Sequence, residues 1–343
     1  MSFSEGLIGA MKFHVMLPVR DEGDIVRQSL VAYLRWADYI HVFDTGSVDE
    51  TWDIVLSLAR DEPRIRPIGS EAVYFRDTLV RAYIFDRARQ YMQSGDWALR
   101  ADADEFYHVT PPDFVRNMMR RNETAAWHQY YDFCLTQSEV DEWEHSADPL
   151  ATRNLPIEER RRHYMIRGQS EPRLFRYRRS MQWPQENSFP INAGFVARQR
   201  IPIRHYPHRD PVQLERRCLI RAAMMADPVN RKAWTHADRH HWAVADWHQF
   251  ITPDNDPNLR YWTPGSALPP LQRADHLAPR VKRMIQKVAH AAFLPFVDRW
   301  RERFPKDAAL QRIPPEIQAR LSRELSRLAQ SAGMPSRSKL GDC

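Results

Sequence analysis

Short apolar runs alternate with amphipathic stretches along residues 12–135, which is the pattern of βαβ units. Buried strands are expected at 13–19, 39–43, 65–68 and 97–100. Apolar residues at helical spacing predict crossover helices between them. We therefore expect an α/β fold with an open, mostly parallel central sheet and helices on its faces.

Turn signals set the expected limits of two helices. Ser47 is followed three residues later by Glu50, which predicts a capping box at the start of the second helix. A longer helix is expected at 78–92, and Gly95 should stop it. The turn between the second strand and the second helix is therefore predicted to lie at the carboxyl end of that strand.

Beyond residue 135 the pattern is less regular. Residues 138–168 are polar and have no clear period, so we expect a long excursion that covers or builds part of an acceptor site. Regular structure is expected again at 172–177, 201–206 and 212–225. The predicted units are one catalytic domain at 11–227, an irregular and then helical C-terminal region at 228–330, and a polar tail at 331–343. The C-terminal region is expected to pack on the domain or to complete the acceptor site.

The composition describes a folded protein with a small basic excess. The 343 residues include 50 Lys and Arg against 44 Asp and Glu, a net charge of +6, so an anionic ligand fits. No zinc-finger spacing, RNP-type motif or dense basic tract is present, so nucleic acid is not an expected partner.

Cysteine usage and hydropathy give an expectation about location. Three widely separated cysteines favour a reducing cytoplasm. No run reaches the roughly 18 apolar residues of a spanning helix. Membrane contact is therefore expected to be peripheral at most, through a basic amphipathic stretch at 281–294, and packing of that stretch on the domain is the other interpretation.

Acidic turns follow three of the predicted strands. Asp21 and Glu22 follow the first strand, Asp44 the second, and Asp102 and Asp104 the fourth. The carboxyl ends of parallel strands share one edge of a sheet, where ligands bind. Gathered carboxylates are unfavourable unless a cation or hydrogen-bond donors offset their charge. The sequence therefore predicts a site for a metal or a hydroxyl-rich ligand at this edge.

The Asp102-Ala103-Asp104 spacing has a direct chemical use. Alternate residues of an extended segment point the same way, so both carboxylates can face one hard cation such as Mg²⁺ or Mn²⁺. A cation held in this way keeps positions open for diphosphate oxygens and acts as a Lewis acid on a leaving group. The competing interpretation is a solvated acidic turn.

Three segments together resemble the signature of the family 2 glycosyltransferases, which have the GT-A fold. The segments are Pro18-Val19-Arg20-Asp21-Glu22, Asp44-Thr45-Gly46-Ser47-Val48-Asp49-Glu50-Thr51 and Asp102-Ala103-Asp104-Glu105-Phe106. The resemblance implies a glycosyltransferase that uses Mn²⁺ or Mg²⁺ and a nucleotide-sugar, UDP-linked by family tendency. It also implies a saccharide or other hydroxyl acceptor, as in the assembly of surface glycans.

The resemblance also implies roles for single residues of the N-terminal half. It places Asp21 or Glu22, together with Asp44, near the base and ribose of the nucleotide. It places Asp102 and Asp104 near the metal.

Two later segments, Trp183-Pro184-Gln185-Glu186 and His205-Tyr206, resemble family segments as well. The family implies inversion at the anomeric carbon, which needs a carboxylate base. Glu186 is the first choice and Glu105 the second, and a structural loop carboxylate is the alternative for Glu186. His205 would complete the metal shell or contact the diphosphate, and a hydrogen-bonded strand histidine is the alternative.

Arginines lie beside these segments and could bind the diphosphate by charge-assisted hydrogen bonds. They are Arg173, Arg176 and Arg209. Arg173 is predicted to contact the donor. Solvation at the surface is the competing interpretation for each of them.

Two other functions fit part of the pattern. A non-catalytic glycan- or nucleotide-binding protein would keep the fold without turnover, but it has less need of Asp102 and Asp104. A sugar-phosphate nucleotidyltransferase would be expected to carry a Gly-rich loop with Arg or Lys after the first strand. This chain has Arg20-Asp21-Glu22-Gly23 there, so a metal-dependent glycosyltransferase is the predicted function.

Overall fold

The structure is a computed structural model. It describes residues 11–75, 77–168, 170–184, 187, 189–191, 193–226, 246–269, 288 and 310–334.

Strands and helices alternate through the first half of the chain. The strands are β1 (Phe13–Val19), β2 (Tyr39–Asp44), β3 (Ile65–Ser70), β4 (Trp97–Arg100), β5 (Glu105–Tyr107), β6 (Ala125–Phe133), β7 (His163–Ile166), β8 (Pro172–Arg176), β9 (Ile201–His205) and β10 (Arg260–Tyr261). The α-helices are α1 (Val26–Leu34), α2 (Thr51–Asp61), α3 (Asp77–Ala88), α4 (Pro111–Asn117), α5 (Gln137–His145), α6 (Ile157–Arg160), α7 (Pro211–Ala226) and α8 (Pro315–Ser331). Short 3-10 helices lie at Arg89–Tyr91, Pro149–Asn154 and Trp247–Phe250.

The strands form a mixed sheet with a parallel first half. Their order is β10-β7-β6-β8-β4-β1-β2-β3, and β9 pairs with both β6 and β5. β4, β1, β2 and β3 run parallel to one another, whereas β8 is antiparallel to β4 and β6. The parallel half is the part that the alternation of strands and helices predicted.

The first strand shows why the parallel half is buried on both faces. Every residue of β1 is buried. Val15 and Leu17 pack on the side of α1 and α2, with Leu30 among their neighbours. Met16 points to the other face and packs with Phe85 of α3. Because successive side chains of a strand alternate, an unbroken apolar run requires helices on both faces.

The predicted α/β class, with an open central sheet flanked by helices, is confirmed. The predicted capping box is wrong, because Glu50 is the N-cap of α2 and makes no side-chain capping bond, while Asp49 accepts from the N–H of Thr51 at 3.0 Å. Ser47 uses its hydroxyl to bind Asp44 instead. Asp44, three residues earlier in the chain, is buried and charged. Its carboxylate therefore binds the Ser47 hydroxyl more strongly than the N–H groups at the start of α2 would.

The polar stretch at 138–168 contains α5, α6 and β7. Thr136 and Glu139 form a capping box at the start of α5, and Val140 is its buried residue. A helix with one small apolar contact leaves no period in the sequence, which explains why the pattern did not predict it.

The described C-terminal helix packs against an earlier helix of the chain. Leu321 and Leu325 of α8 are buried against α7. Within the described ranges, no helix is long and apolar enough to cross a membrane. Apart from Val288, the basic stretch predicted at 281–294 lies outside the described residues.

Two buried histidines lie side by side at the amino end of the parallel strands. His14 Nδ1 and His41 Nε2 are 3.2 Å apart, and His14 Nε2 is 3.5 Å from Asp96 Oδ2. Burial lowers the pKa of His14 to about 4 and the pKa of His41 to about 3. Both rings are therefore neutral at pH 7.

We predict that this pair makes the fold sensitive to acid. The unfolded chain takes up protons on both histidines near pH 6.5, whereas the folded protein does not. The free energy of unfolding should therefore fall as the pH drops from about 6.5 toward about 4, and the penalty should be absent above about pH 7.

The comparison of wild type with His41→Gln by urea unfolding at about pH 7 and about pH 5 measures this effect. His41→Gln cannot take up a proton at position 41. Its free energy of unfolding should therefore fall less than that of wild type between about pH 7 and about pH 5. His145 is exposed, and His145→Gln should behave as wild type. An equal acid loss in wild type and His41→Gln would contradict the prediction.

Candidate active site

The acidic turns predicted from the sequence come together at one edge of the sheet. β1 lies between β2 and β4, with Val19 opposite Asp44 and Met16 opposite Arg100. Because the three strands run in the same direction, the turns that follow them are neighbours. Residues 20–24, 45–49 and 101–104 therefore share this edge.

Ser47 joins the first two turns. Its hydroxyl donates to Asp44 Oδ1 at 2.5 Å and accepts from the N–H of Asp21 at 2.8 Å. Asp21 Oδ1 accepts from the N–H groups of Val48 and Asp49 at 2.8 and 3.3 Å. Asp21 has a φ of 52°, which is uncommon outside glycine. These bonds hold the unusual backbone conformation in place.

Asp44 is completely buried, and its carboxylate already accepts several hydrogen bonds. Besides the hydroxyl and N–H of Ser47, it accepts from the hydroxyl of Ser70 on β3 at 2.5 Å. Here Asp44 organises the turn. Its contact with a nucleoside stays a prediction, since a ligand would have to replace one of these hydroxyls.

A buried arginine holds the carboxylates of the first turn. Arg209 has no exposed surface, donates to both oxygens of Asp24 at 2.7 and 2.9 Å, and also binds Glu22 Oε2. Its Nη1 lies 4.0 Å from Asp104 Oδ2. Burial would lower the pKa of Arg209, but Asp24 and Glu22 raise it well above the ordinary value. Arg209 therefore compensates the charge of three turn carboxylates.

Asp102 and Asp104 have different partners. Ala103 and Asp104 form a turn, so the alternation of an extended strand does not apply to them. Asp102 Oδ1 accepts from Arg81 Nη2 at 2.6 Å, and its Oδ2 lies 3.5 Å from Arg173 Nη1. The role of Asp102 as a metal ligand stays a prediction, and it would require Asp102 to leave these arginines.

Asp104 faces His205 at the end of β9. β5 and β9 pair with Glu105 opposite His205, which brings the histidine beside the acidic turn. His205 Nε2 lies 3.6 Å from Asp104 Oδ2, and Nδ1 bonds to Asp132 Oδ1 at 2.8 Å. Burial would lower the pKa of His205, but Asp104 and Asp132 raise it to about 10. The ring is therefore protonated at pH 7.

The pair of Asp104 and His205 fits a divalent cation. Two ligands about 2.1 Å from one ion and at right angles lie about 3 Å apart, close to the observed 3.6 Å. Asp132 behind the imidazole is the kind of group that orients a metal-bound histidine. Within the described part of the chain, no three His, Cys, Asp or Glu side chains gather to hold an ion. Binding of an ion by His205 would release the imidazole proton.

Cationic side chains surround the same carboxylate. Arg217 of α7 is 26% exposed and has Nη1 at 3.8 Å from Asp104 Oδ2. Burial would raise the pKa of Asp104, but His205, Arg217 and Arg209 hold it well below its usual range. Guanidinium groups match phosphate oxygens well. This end of the site therefore suits an anion beside a cation.

Glu105 lies beneath these groups with no exposed surface. Its Oε1 accepts from Arg173 Nη2 at 2.6 Å and binds the Tyr130 hydroxyl, and Oε2 accepts from the N–H of Asp102 at 3.2 Å. Burial raises the pKa of Glu105 to about 7 although Arg173 opposes this. The Tyr130 ring stacks on His205 with centroids 4.5 Å apart. Glu105 thus connects the two sides of the site.

Some residues of this arrangement were not found from the sequence. Tyr130 and Asp132 lie on β6, which pairs parallel with β9 and places Asp132 opposite His205. Pairing between strands so distant in the chain leaves no local signal. Arg81 lies within the helix predicted at 78–92, and the sequence pattern assigned it no role. Glu186, the predicted base, lies outside the described residues.

No protein-family model matches the chain, and no curated protein sequence matches it. Among solved structures, the mannosyltransferase PcManGT from Pyrobaculum calidifontis, in complex with GDP-Man and Mn²⁺, is similar with a TM-score of 0.35. The identity is 11%, over 93% of this chain and 87% of that chain.

Two further solved structures are similar over part of the chain. Glucosyl-3-phosphoglycerate synthase from Mycobacterium tuberculosis, in complex with phosphoglyceric acid, is 18% identical over 42% of this chain and 50% of its own, with a TM-score of 0.22. 4-Diphosphocytidyl-2C-methyl-D-erythritol synthase is 11% identical over 48% of this chain and 74% of its own, with a TM-score of 0.27. Similarity at this level identifies no activity.

We predict that Arg209→Met strongly destabilises the protein. Methionine keeps an unbranched side chain but removes the guanidinium that hydrogen-bonds to both Glu22 and Asp24, which costs about 3–5 kcal/mol of unfolding free energy. Urea unfolding followed by circular dichroism measures the loss. The matched control is Arg116→Met, because Arg116 is 72% exposed in its pair with Asp113. The control should lose less than about 1 kcal/mol, and equal losses in both variants would refute the assigned role of Arg209.

Proposed function

We propose that the protein is a metal-dependent glycosyltransferase that moves a sugar from a nucleotide-sugar to a hydroxyl acceptor. The observation that carries this proposal is the 3.6 Å approach of Asp104 to His205 at the carboxyl edge of the parallel strands. Ligands of open α/β sheets bind at this edge where the strand order reverses. Here the order reverses at β1, which has β2 and β3 on one side and β4 on the other.

In this proposal Asp104 and His205 hold Mn²⁺ or Mg²⁺, which would stabilise the negative charge of the leaving diphosphate as a Lewis acid. Asp132 orients the His205 imidazole through the 2.8 Å bond to Nδ1. Arg217, which is partly exposed beside Asp104, donates to the phosphate oxygens. The chain thus contributes two ligands for the cation and a cationic side chain for the phosphates.

The acceptor side of the reaction needs a carboxylate base. The acceptor oxygen forms a bond to the anomeric carbon while the bond to the diphosphate breaks, and the hydroxyl proton passes to the base. Glu105 is completely buried and bound to Arg173 and Tyr130. It would have to leave both partners to reach a hydroxyl, so Glu186 stays our first candidate for the base.

The finer assignments follow from the family resemblance. We propose a UDP-linked donor, inversion at the anomeric carbon and a saccharide acceptor. Asp102 has 29% of its side chain exposed at the same edge and is accessible to the ribose or to a phosphate. Asp21 and Asp44 then act by shaping the turns on the nucleoside side, where their carboxylates are already hydrogen-bonded.

A thermal-shift screen tests the donor class. UDP, GDP, CMP and dTDP are each added with and without Mn²⁺, because a ligand of the folded state raises the melting temperature. We expect one nucleotide to stabilise the protein more in the presence of Mn²⁺ than in its absence. Stabilisation by none of them would contradict a nucleotide-sugar donor, and binding without sugar transfer would favour a non-catalytic binding protein.

We predict that Asp104→Ala abolishes sugar transfer and leaves the fold intact. Loss of one cation ligand should lower kcat/KM by about 100-fold or more, since the cation contributes several kcal/mol in the transition state. The measurement is release of the nucleotide from the donor identified in the screen. The exposed Asp141 gives the control Asp141→Ala, which should keep full activity. Full activity of Asp104→Ala would remove Asp104 from the mechanism.

A further inference from the structure

The described C-terminal segment, residues 310–334, returns to the acidic edge of the sheet. Before α8 begins, it pairs with the stretch that follows β3. The N–H of Tyr74 donates to the carbonyl of Gln311 at 2.9 Å, and the N–H of Ile313 donates to the carbonyl of Ala72 at 2.9 Å. Main-chain bonds therefore fix the position of α8 relative to the end of β3.

The first turn of α8 then reaches the turns that follow β1 and β2. Gln318 Oε1 accepts from Arg20 Nη2, and Gln318 Nε2 donates to the carbonyl of Gly46, each at 3.4 Å. Val48 packs against the cluster that Leu321 and Leu325 of α8 form with Ala223 of α7. One short C-terminal segment thus contacts the turns after all three of these strands.

These turns form one continuous rim. Val19 of β1 lies opposite Asp44 of β2, and Asp44 lies opposite Ser70 of β3, so the three strands end in register. The proposed cation site at Asp104 and His205 lies on the other side of β1, beyond β4. A nucleoside diphosphate whose phosphates contact the cation would lie across the end of β1. Its nucleoside would then lie along the rim that α8 contacts.

We propose that Gln318 is the residue of the C-terminal segment that contacts the nucleobase and determines which base is bound. This inference rests on the proposed nucleotide-sugar donor. Gln318 is neither buried nor fully exposed, and its carboxamide contacts Arg20 and Gly46 on the rim. Gln318 acts on the choice of donor and takes no part in the transfer step.

The chemistry of the carboxamide suits this role. It presents a donor and an acceptor side by side, and the edges of nucleobases present complementary pairs. Both present hydrogen bonds are 3.4 Å long, beyond the usual 2.7–3.2 Å. They are therefore weak and can be exchanged for bonds to a base. Arg20 would keep its stronger bond to the carbonyl of Thr45, at 2.7 Å.

Isothermal titration of the full chain tests the inference. The probes are UDP, GDP, CDP and ADP with Mn²⁺, and inorganic diphosphate with Mn²⁺, which occupies the phosphate half alone. Gln318→Ala should weaken the nucleotide that wild type binds most tightly by about tenfold and leave the affinity for inorganic diphosphate unchanged. The matched control is Gln330→Ala, because Gln330 is exposed on the same helix, and both of its affinities should equal those of wild type.

A second variant tests the choice of base. Gln318→Glu keeps an acceptor for Arg20 but loses the amide donor, so it should change the order of preference among the four nucleotides. An unchanged order together with unchanged affinities in Gln318→Ala would overturn the inference. Equal weakening of nucleotide and inorganic diphosphate would also overturn it, because Gln318 would then only shape the turns.

The experiment separates this inference from the proposed function. Nucleotide binding that is insensitive to Gln318 removes the inference and leaves a nucleotide-dependent enzyme in place. Failure of wild type to bind any of the four nucleotides, together with no stabilisation by CMP or dTDP in the thermal-shift screen, removes the nucleotide-sugar donor and the inference with it.

Discussion

Burying a carboxylate without a partner costs several kcal/mol, and the edge of the sheet in this protein gathers carboxylates from three turns. Buried arginines compensate that charge. Arg81 comes from α3, Arg173 from β8 and Arg209 from the segment after β9, so each reaches the edge from a different part of the chain. The acidic edge can therefore form only in the folded domain, where these distant segments meet it.

This compensation divides the acidic residues into two groups. Asp44, Asp102 and Glu105 are held by short bonds to hydroxyl or guanidinium groups and shape the site. Asp104 differs, because its three cationic neighbours stand 3.6 to 4.0 Å away, beyond the 2.7–2.9 Å of a charge-assisted hydrogen bond. An ion bound by Asp104 would replace the proton of His205, whereas an ion bound by Asp102 would first have to break the bond of Asp102 to Arg81.

The sequence predicted the parts of the fold that depend on local pattern. β1 and β4 have the predicted limits, because a mostly apolar run that ends in a polar turn marks both ends of a buried strand. The gathering of the acidic turns followed from parallel pairing. Prediction failed for Ser47, where a nearby buried carboxylate determined the conformation and a helix terminus did not.

The parts that could not be predicted depend on contacts between distant segments. The pairing of β6 with β9 brings Asp132 to His205, and no motif in either strand signals it. The return of α8 to Gly46 links residues 272 positions apart. The arginines that bind Asp102 are distant in the sequence from the Asp-x-Asp turn. The local pattern therefore could not show which of the two carboxylates an ion would bind.

The most direct test of this account is the position of a bound ion. Crystals of the wild-type protein grown with Mn²⁺ and the nucleoside diphosphate that stabilises it would locate manganese by its anomalous scattering. We expect a peak coordinated by Asp104 Oδ2 and His205 Nε2, with Asp102 still bound to Arg81. A peak coordinated by Asp102 with His205 turned away, or manganese bound only elsewhere on the protein, would contradict it.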